Sequence, residues 1–424
     1  MQWRNLFRNQ QHWDWHLVLF FLNVFLVVYG YSLRNETFQA VKLLRTGLVV
    51  FSLIGVLFLQ GQVKYIFDKK KNWVLYFFLF LNIIVLPFSV EFTRSLERIL
   101  AWIPFLIYTN HFIVYLFAHY TKDEAKIKLL QIISLAYFYP VLLIFVTGVA
   151  FQTSNVYGQY ISSYKANVIG WGCTIFIVTG FDLVAANPQA KWWTRYLYYV
   201  IAVLSLWGIV LTGSRSSFVG LAVSTVVLVL RSKQISIYLK IAASLCIIGF
   251  AYYIIASPES VVNLRARYAD IRNQKVDVRI TLISQAFEIF LNNPEVLLTG
   301  FGFDSFRSGL EYYSGVRTEL ASHNSYLEIL FSGGLFSFLF FMIFMALNAI
   351  IKYVRFDSQY FVFLPSIIII PYFESNLNAG QFLFFPWMTF LFYYVHVSSL
   401  QFPVNQMNIS EKKWPEWKQA VSNN

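Results

Sequence analysis

Charge is what this chain has least of. Only 13% of its 424 residues are Asp, Glu, Lys or Arg, against roughly 25% in a soluble domain, which excludes an ordinary water-soluble fold. Cysteine is almost missing as well. Cys173 and Cys246 both fall inside apolar runs, so a disulfide framework is excluded and two inert buried thiols are expected. No two aspartates are separated by a single residue and no histidine pair faces outward, so the sequence offers no metal site and none is expected, nor any cofactor. Gly300-Phe301-Gly302 has no third glycine at the spacing that opens a dinucleotide-binding helix, and it reads as a turn returning the chain to the membrane. Although the net charge is +12, the basic residues form no soluble face large enough to track a phosphate backbone, which excludes nucleic acid as a partner. There is no low-complexity tract, no clear internal repeat and no cleavable signal pattern.

Hydrophobic residues make up 58% of the chain and aromatic ones 20%. Apolar runs of about 20 residues, the length that crosses a hydrocarbon core of about 30 Å, recur from end to end. They predict an all-α polytopic membrane protein with about 12 transmembrane helices, near 15–31, 42–60, 73–89, 97–118, 129–151, 166–186, 196–213, 216–231, 236–256, 326–351, 360–374 and 379–397. The chain reads as one membrane domain over 1–424. Its long loop, 257–326, is inserted between the ninth and tenth spans and holds amphipathic helices, and a short polar tail covers 401–424. Most lysines and arginines outside the long loop fall on the side that carries both termini, among them Lys69 to Lys71, Lys122, Lys126, Lys128, Lys412 and Lys413. That bias predicts cytoplasmic termini and an outward-facing loop.

The distinctive polar residues gather on the outer side. Within the loop, Arg265, Arg267, Arg272, Lys275 and Arg279 outnumber Asp270 and Asp277. The first four read equally well as substrate-binding groups or as a solvated face touching acidic lipid headgroups. Arg279 differs, because Ile280, Ile283, Phe287 and Phe290 predict an amphipathic helix that starts beside it and stops at Asn292-Asn293-Pro294. A helix start already favours an anion. Arg215 falls at the outer end of a helical hairpin in Thr212-Gly213-Ser214-Arg215-Ser216-Ser217. The small neighbours, Ser214 and Ser216 among them, supply hydroxyls near a guanidinium suited to phosphate oxygens. His323 is the one histidine expected outside, and Ser322, Asn324, Ser325, Tyr326 and Glu328 crowd hydrogen-bonding groups around it at the mouth of a helix. A group titrating near neutrality can take a proton there.

Taken in order, Leu211-Thr212-Gly213-Ser214-Arg215-Ser216-Ser217, then Arg279 and its helix, then Leu298-Thr299-Gly300-Phe301-Gly302-Phe303-Asp304-Ser305-Phe306, then His323-Asn324-Ser325-Tyr326-Leu327 with Gly333-Gly334-Leu335, resemble the O-antigen ligase and O-antigen polymerase superfamily. The resemblance covers roughly residues 165 to 395, including Asn167 and Glu374, and the first 160 residues resemble it in hydropathy alone. It implies a metal-independent, inverting membrane glycosyltransferase of the C-type fold in the bacterial cytoplasmic (inner) membrane, with the long loop and active site on the periplasmic or outer face. The implied donor is an undecaprenyl-diphosphate-linked oligosaccharide. The implied acceptor is a lipid-linked glycan, as in a polymerase of O-antigen or exopolysaccharide repeat units, or the lipid A core, as in a ligase. By the same resemblance Arg215 and Arg279 hold the diphosphate and His323 is the general base, and a polymerase takes a chain-length regulator as partner. A different class, a transporter or flippase for the same lipid-linked sugars, fits less well. Such proteins carry helix breaks near the bilayer midplane and two related halves, whereas here the special groups crowd one interface.

Overall fold

In a computed structural model the protein is described over residues 14–32, 37–59, 69–146, 166–186, 191–212, 215–231, 278–317, 324–356 and 384–397, with scattered residues between 236 and 249. Among these residues there is no strand. The fold is all-α, as an apolar chain requires when its backbone groups must be satisfied within each segment.

The helices are α1 (Trp15–Ser32), α2 (Thr37–Ile54), α3 (Lys69–Ile84), α4 (Phe92–His119), α5 (Lys122–Val146), α6 (Ala166–Ala186), α7 (Trp192–Thr212), α8 (Arg215–Arg231), α9 (Val278–Asn292), α10 (Pro294–Thr299), α11 (Phe306–Ser314), α12 (Ser325–Phe340), α13 (Asn348–Phe356) and α14 (Phe384–His396). Wider π-helical turns extend α2 through Leu59 and join α12 to α13 through Leu347. Three helices are long and apolar enough to cross a membrane, Phe92–His119, Lys122–Ile144 and Ser325–Arg355. Helices lie over seven more of the expected spans or parts of them; the eleventh, 360–374, and most of the ninth lie outside the described residues.

Five helices, α2, α3, α4, α5 and α7, start four or more residues earlier than their apolar runs, and two of them show why. The expected spans at 97 and 129 begin at Phe92 and Lys122 instead, because polar first turns can be helical when their charges and backbone donors are satisfied. At α5 a reciprocal cap does this. The Thr121 backbone N–H donates to Glu124 Oε2 at 3.0 Å while the Glu124 N–H donates to Thr121 Oγ1 at 3.4 Å. At α4 the early turn is held by partners far away in sequence, described below.

α4 is the axis of the packing. It touches α2, α3, α5 and α14, and Trp102, Phe105, Leu106, Tyr108, Phe112, Ile113 and Leu116 are all buried along it. Several polar groups inside this core are paired between helices, which offsets the cost of burying them. Asn23 Nδ2 donates to Ser52 Oγ at 3.0 Å, Asn110 Nδ2 to Asn72 Oδ1 at 2.8 Å, and Asn110 Oδ1 lies 2.7 Å from His396 Nε2. Cys173 is buried and free in α6, as its apolar setting suggested.

A second, smaller core joins α9, α10, α11 and the N-terminal half of α12. Leu282, Ala286, Ile289, Phe290, Val296, Phe301, Phe306, Leu310, Leu330 and Phe331 form it. Its large side chains each gain about 1.5–3 kcal/mol from burial relative to exposure. This cluster turns the insertion into a folded unit seated on the membrane helices.

Candidate active site

The sequence-selected residues stand at helix starts. Arg215 is the first residue of α8 and Arg279 the second of α9. Asn324, next after His323, is the N-cap of α12, its Oδ1 accepting from the N–H groups of Tyr326 and Leu327 at 3.0 Å each. The end of α9 agrees with the expected stop at Asn292-Asn293-Pro294. Tyr326 packs edge-on against Trp387 of α14, ring centroids 5.4 Å apart, and beside Phe341 at 6.5 Å. His323, Ser214, Arg265, Arg267, Arg272 and Glu374 lie outside the described residues, and for Arg215, Ser216, Arg279 and Asn167 only the backbone is described.

Two of these helix starts share one aromatic hub. Phe290 of α9 lies 5.3 Å from the ring of Phe301 and 5.6 Å from that of Phe331 on α12, while Phe306 lies 4.9 Å from Phe331. Leu282, one turn after Arg279, is in the same cluster. The Phe301 N–H donates to the Phe331 carbonyl at 2.6 Å. The backbone of α12 breaks its helical path at Gly334 (φ 72°, ψ −176°), and Gly300 meets it with φ 74°. At either glycine a Cβ would clash with the facing backbone, the Leu298 carbonyl at Gly334 and the Phe331 carbonyl at Gly300. These two residues have the left-handed φ and close approach that glycine alone accommodates without strain.

Beyond Gly300 the turn is fastened to the start of α4, a contact the sequence reading missed. Phe303 packs edge-on against Trp102 at 5.2 Å. Ser95 Oγ donates to the Phe303 carbonyl at 3.0 Å and lies 3.1 Å from Ser305 Oγ, while the Val90 N–H donates to the Phe301 carbonyl at 3.0 Å. Asp304 has φ 56°, a conformation aspartate tolerates better than most residues. Its Oδ2 accepts from Arg98 Nε at 2.8 Å and from Arg94 Nε and Nη2 at 3.3 Å each. Glu91 takes the remaining Arg94 nitrogen, Nη1, at 3.3 Å and accepts from Ser308 Oγ at 2.6 Å. The available signal was the spacing of Arg94 and Arg98, one turn apart on a helix face. Nothing local says which carboxylate, some 200 residues on, will meet that pair.

A narrow pocket lies beneath this turn, lined by Phe78, Asn82, Trp102, Phe303, Ile329, Phe341 and Met388. Among the described residues no group of three or more His, Cys, Asp or Glu side chains could hold a metal ion.

Residues 200–342 match the family model for O-antigen ligase. The match runs from the middle of α7 to the π-helical turn after α12, spanning Arg215, Arg279, His323 and the 300–306 turn and leaving out α4. No curated protein matches the chain.

Proposed function

We propose that this protein, whose residues 200–342 match the O-antigen ligase family model, belongs to the O-antigen ligase and polymerase superfamily and transfers a glycan from undecaprenyl diphosphate to an acceptor hydroxyl at the outer face of the inner membrane. The observation that carries the reading is that all three selected residues stand at or just before helix starts, and that α9 and α12 start from one packed hub. The helix dipole makes the ends at Arg215 and Arg279 favourable to a diphosphate, while at α12 the Asn324 cap already holds the N–H groups of Tyr326 and Leu327. Arg215 and Arg279 bind the diphosphate and neutralise the charge that grows on it as the sugar departs, the kind of stabilisation that often dominates catalysis. The acceptor oxygen attacks the anomeric carbon from the opposite face, the bond to the diphosphate oxygen breaks, and His323 takes the acceptor proton. Undecaprenyl diphosphate leaves and the anomeric configuration inverts. General base help of this type is typically worth about 10²–10⁴-fold. No metal is assigned a role. Arg265, Arg267, Arg272, Ser214, Ser216, Asn324 and Tyr326 line the substrate path in this reading, with Asn324 acting through its cap.

The topology proposed with it is twelve spans, both termini cytoplasmic, residues 257–326 periplasmic, and the 401–424 tail inside. Support comes from α4. Its 28 residues extend about 42 Å, longer than a hydrocarbon core of about 30 Å. Asp14, ahead of α1, bonds to Tyr115 and Tyr120 at one end, and Asp304 of the insertion bonds to Arg94 and Arg98 at the other.

The acceptor favoured here is another lipid-linked repeat unit, which makes the protein a polymerase working with a chain-length regulator. A ligase acting on the lipid A core is the second reading, favoured by the description of the matching family. Purified protein given an undecaprenyl-diphosphate oligosaccharide is expected to release undecaprenyl diphosphate and lengthen the lipid-linked glycan. His323→Ala, Arg215→Ala and Arg279→Ala are expected to insert normally and lose that activity, and a chelator is expected to leave wild-type turnover intact. Product that forms only after lipid A core is added identifies a ligase. Near-wild-type turnover by all three variants removes the proposed site, and loss to a chelator restored by a divalent ion removes the metal-free mechanism.

A further inference from the structure

We infer that Asp304, Arg94 and Arg98 form a positioning clasp that sets the height of the insertion on the membrane helices, and with it the placement of the Arg279 and His323 helix starts over the reaction centre. The inference rests on the proposed glycan transfer for its kinetic consequence and on geometry alone for its structural one.

Charge and burial carry the argument. Asp304 has a side chain only 4% exposed, while Arg94 and Arg98 are 39% and 32% exposed. A carboxylate at that depth is costly unless it is paired, so the pairing and the seating of the turn stand or fall together. The group is no anion subsite, because Arg94 and Arg98 are already balanced by Asp304 and Glu91. What the clasp holds is the segment that threads both helix starts. Three residues before Asp304, Phe301 sits at the centre of the hub and bonds through its N–H to α12. Four residues after Asp304, Ser308 returns to Glu91 at 2.6 Å. The partners Glu91, Arg94, Ser95 and Arg98 lie outside the stretch matched by the family model. The N-terminal half of the chain therefore acts on the site through this contact. A shift of about 1 Å in reacting groups can cost on the order of 100-fold in rate, so a loosened clasp should be read in turnover and not in affinity.

The test uses the full-length protein in nanodiscs. Asp304→Asn keeps a residue that tolerates positive φ and removes the charge. It is expected to lower kcat about tenfold or more, with KM for the lipid-linked donor within about twofold. Arg98→Ala should match it, Arg98→Lys should recover most of the loss, and the double variant should be no worse than either single one, since all act on one contact. Independently of activity, spin labels at Glu97→Cys on α4 and Tyr312→Cys on α11, with both native cysteines changed to serine, should report a single narrow distance that broadens in Asp304→Asn. Unchanged kcat per folded molecule in Asp304→Asn overturns the clasp as a positioning device, whether or not the distance broadens. An unchanged distance distribution overturns it as a structural tie. If the wild type transfers no glycan, the proposed function falls, and the spin-label distances alone then decide for or against the clasp.

Discussion

Gly334 shows how much one residue can fix in this molecule. Its φ of 72° breaks α12 where the turn from α10 passes, and its missing Cβ lets the Leu298 carbonyl approach. Alanine would add backbone strain of about 1–3 kcal/mol and an overlap with main-chain atoms that have no rotamer to yield. Gly334→Ala is therefore expected to lower the thermal midpoint in detergent by several degrees and to abolish transfer. Gly47 has open space around it, so Gly47→Ala is the control and should be close to neutral or stabilising. An unaltered midpoint in Gly334→Ala would show that the interlock does not exist in the native protein.

At the level of elements, the junction between α4 and α5 is held to the start of α1 by one carboxylate. Asp14 Oδ2 accepts from the Tyr120 hydroxyl at 2.6 Å and Oδ1 from the Tyr115 hydroxyl at 3.0 Å. The short distance is that of a charge-assisted bond. Burial, and then the Asp14 carboxylate beside it, push the Tyr120 phenol well above its ordinary value. A raised folded value means that the phenol's contribution is complete below about pH 10, its ordinary value, and is lost only on further rise. Tyr120→Phe is thus expected to cost about 1 kcal/mol, reduced from the usual 1.5–3 for a bond to a charged group because the site is half exposed. The cost should be the same at pH 6 and pH 9 by thermal unfolding. A difference that disappears within that window would mean the phenol titrates there and the pairing is misassigned.

On the scale of the whole molecule, α4 is long and apolar enough to cross a membrane and is the helix on which the proposed topology is tested. Asp304 grips one end at Arg94 and Arg98 and Asp14 the other at Tyr115 and Tyr120, about 26–39 Å apart along the helix. Tyr312 is exposed near the first end and Asp123 near the second. A membrane-impermeant maleimide is expected to label Tyr312→Cys from outside intact cells and Asp123→Cys only after permeabilisation. Labelling of both from the same side would overturn the transmembrane placement of α4, and the reverse order would invert the topology read from the lysines and arginines.

The helices were legible in the sequence because hydropathy is a local property. An apolar run in a membrane must satisfy its own backbone bonds, so α6 could be read to within a residue or two, and the amphipathic period of Val278–Asn292 let that helix be read with both ends. Arg215, Arg279 and His323 were selected by chemistry, since few residues in so apolar a chain could handle an anion or a proton, and their roles stand as the proposal above. Where α4 and α5 begin was less legible, because their charged first turns owe their helicity to a cap and to distant partners. The clasp at Asp304 and the interlock of Gly300 with Gly334 were settled only in three dimensions. Each depends on two stretches far apart in the chain arriving at one point, and neither charge nor glycine carries any mark of the partner it will meet.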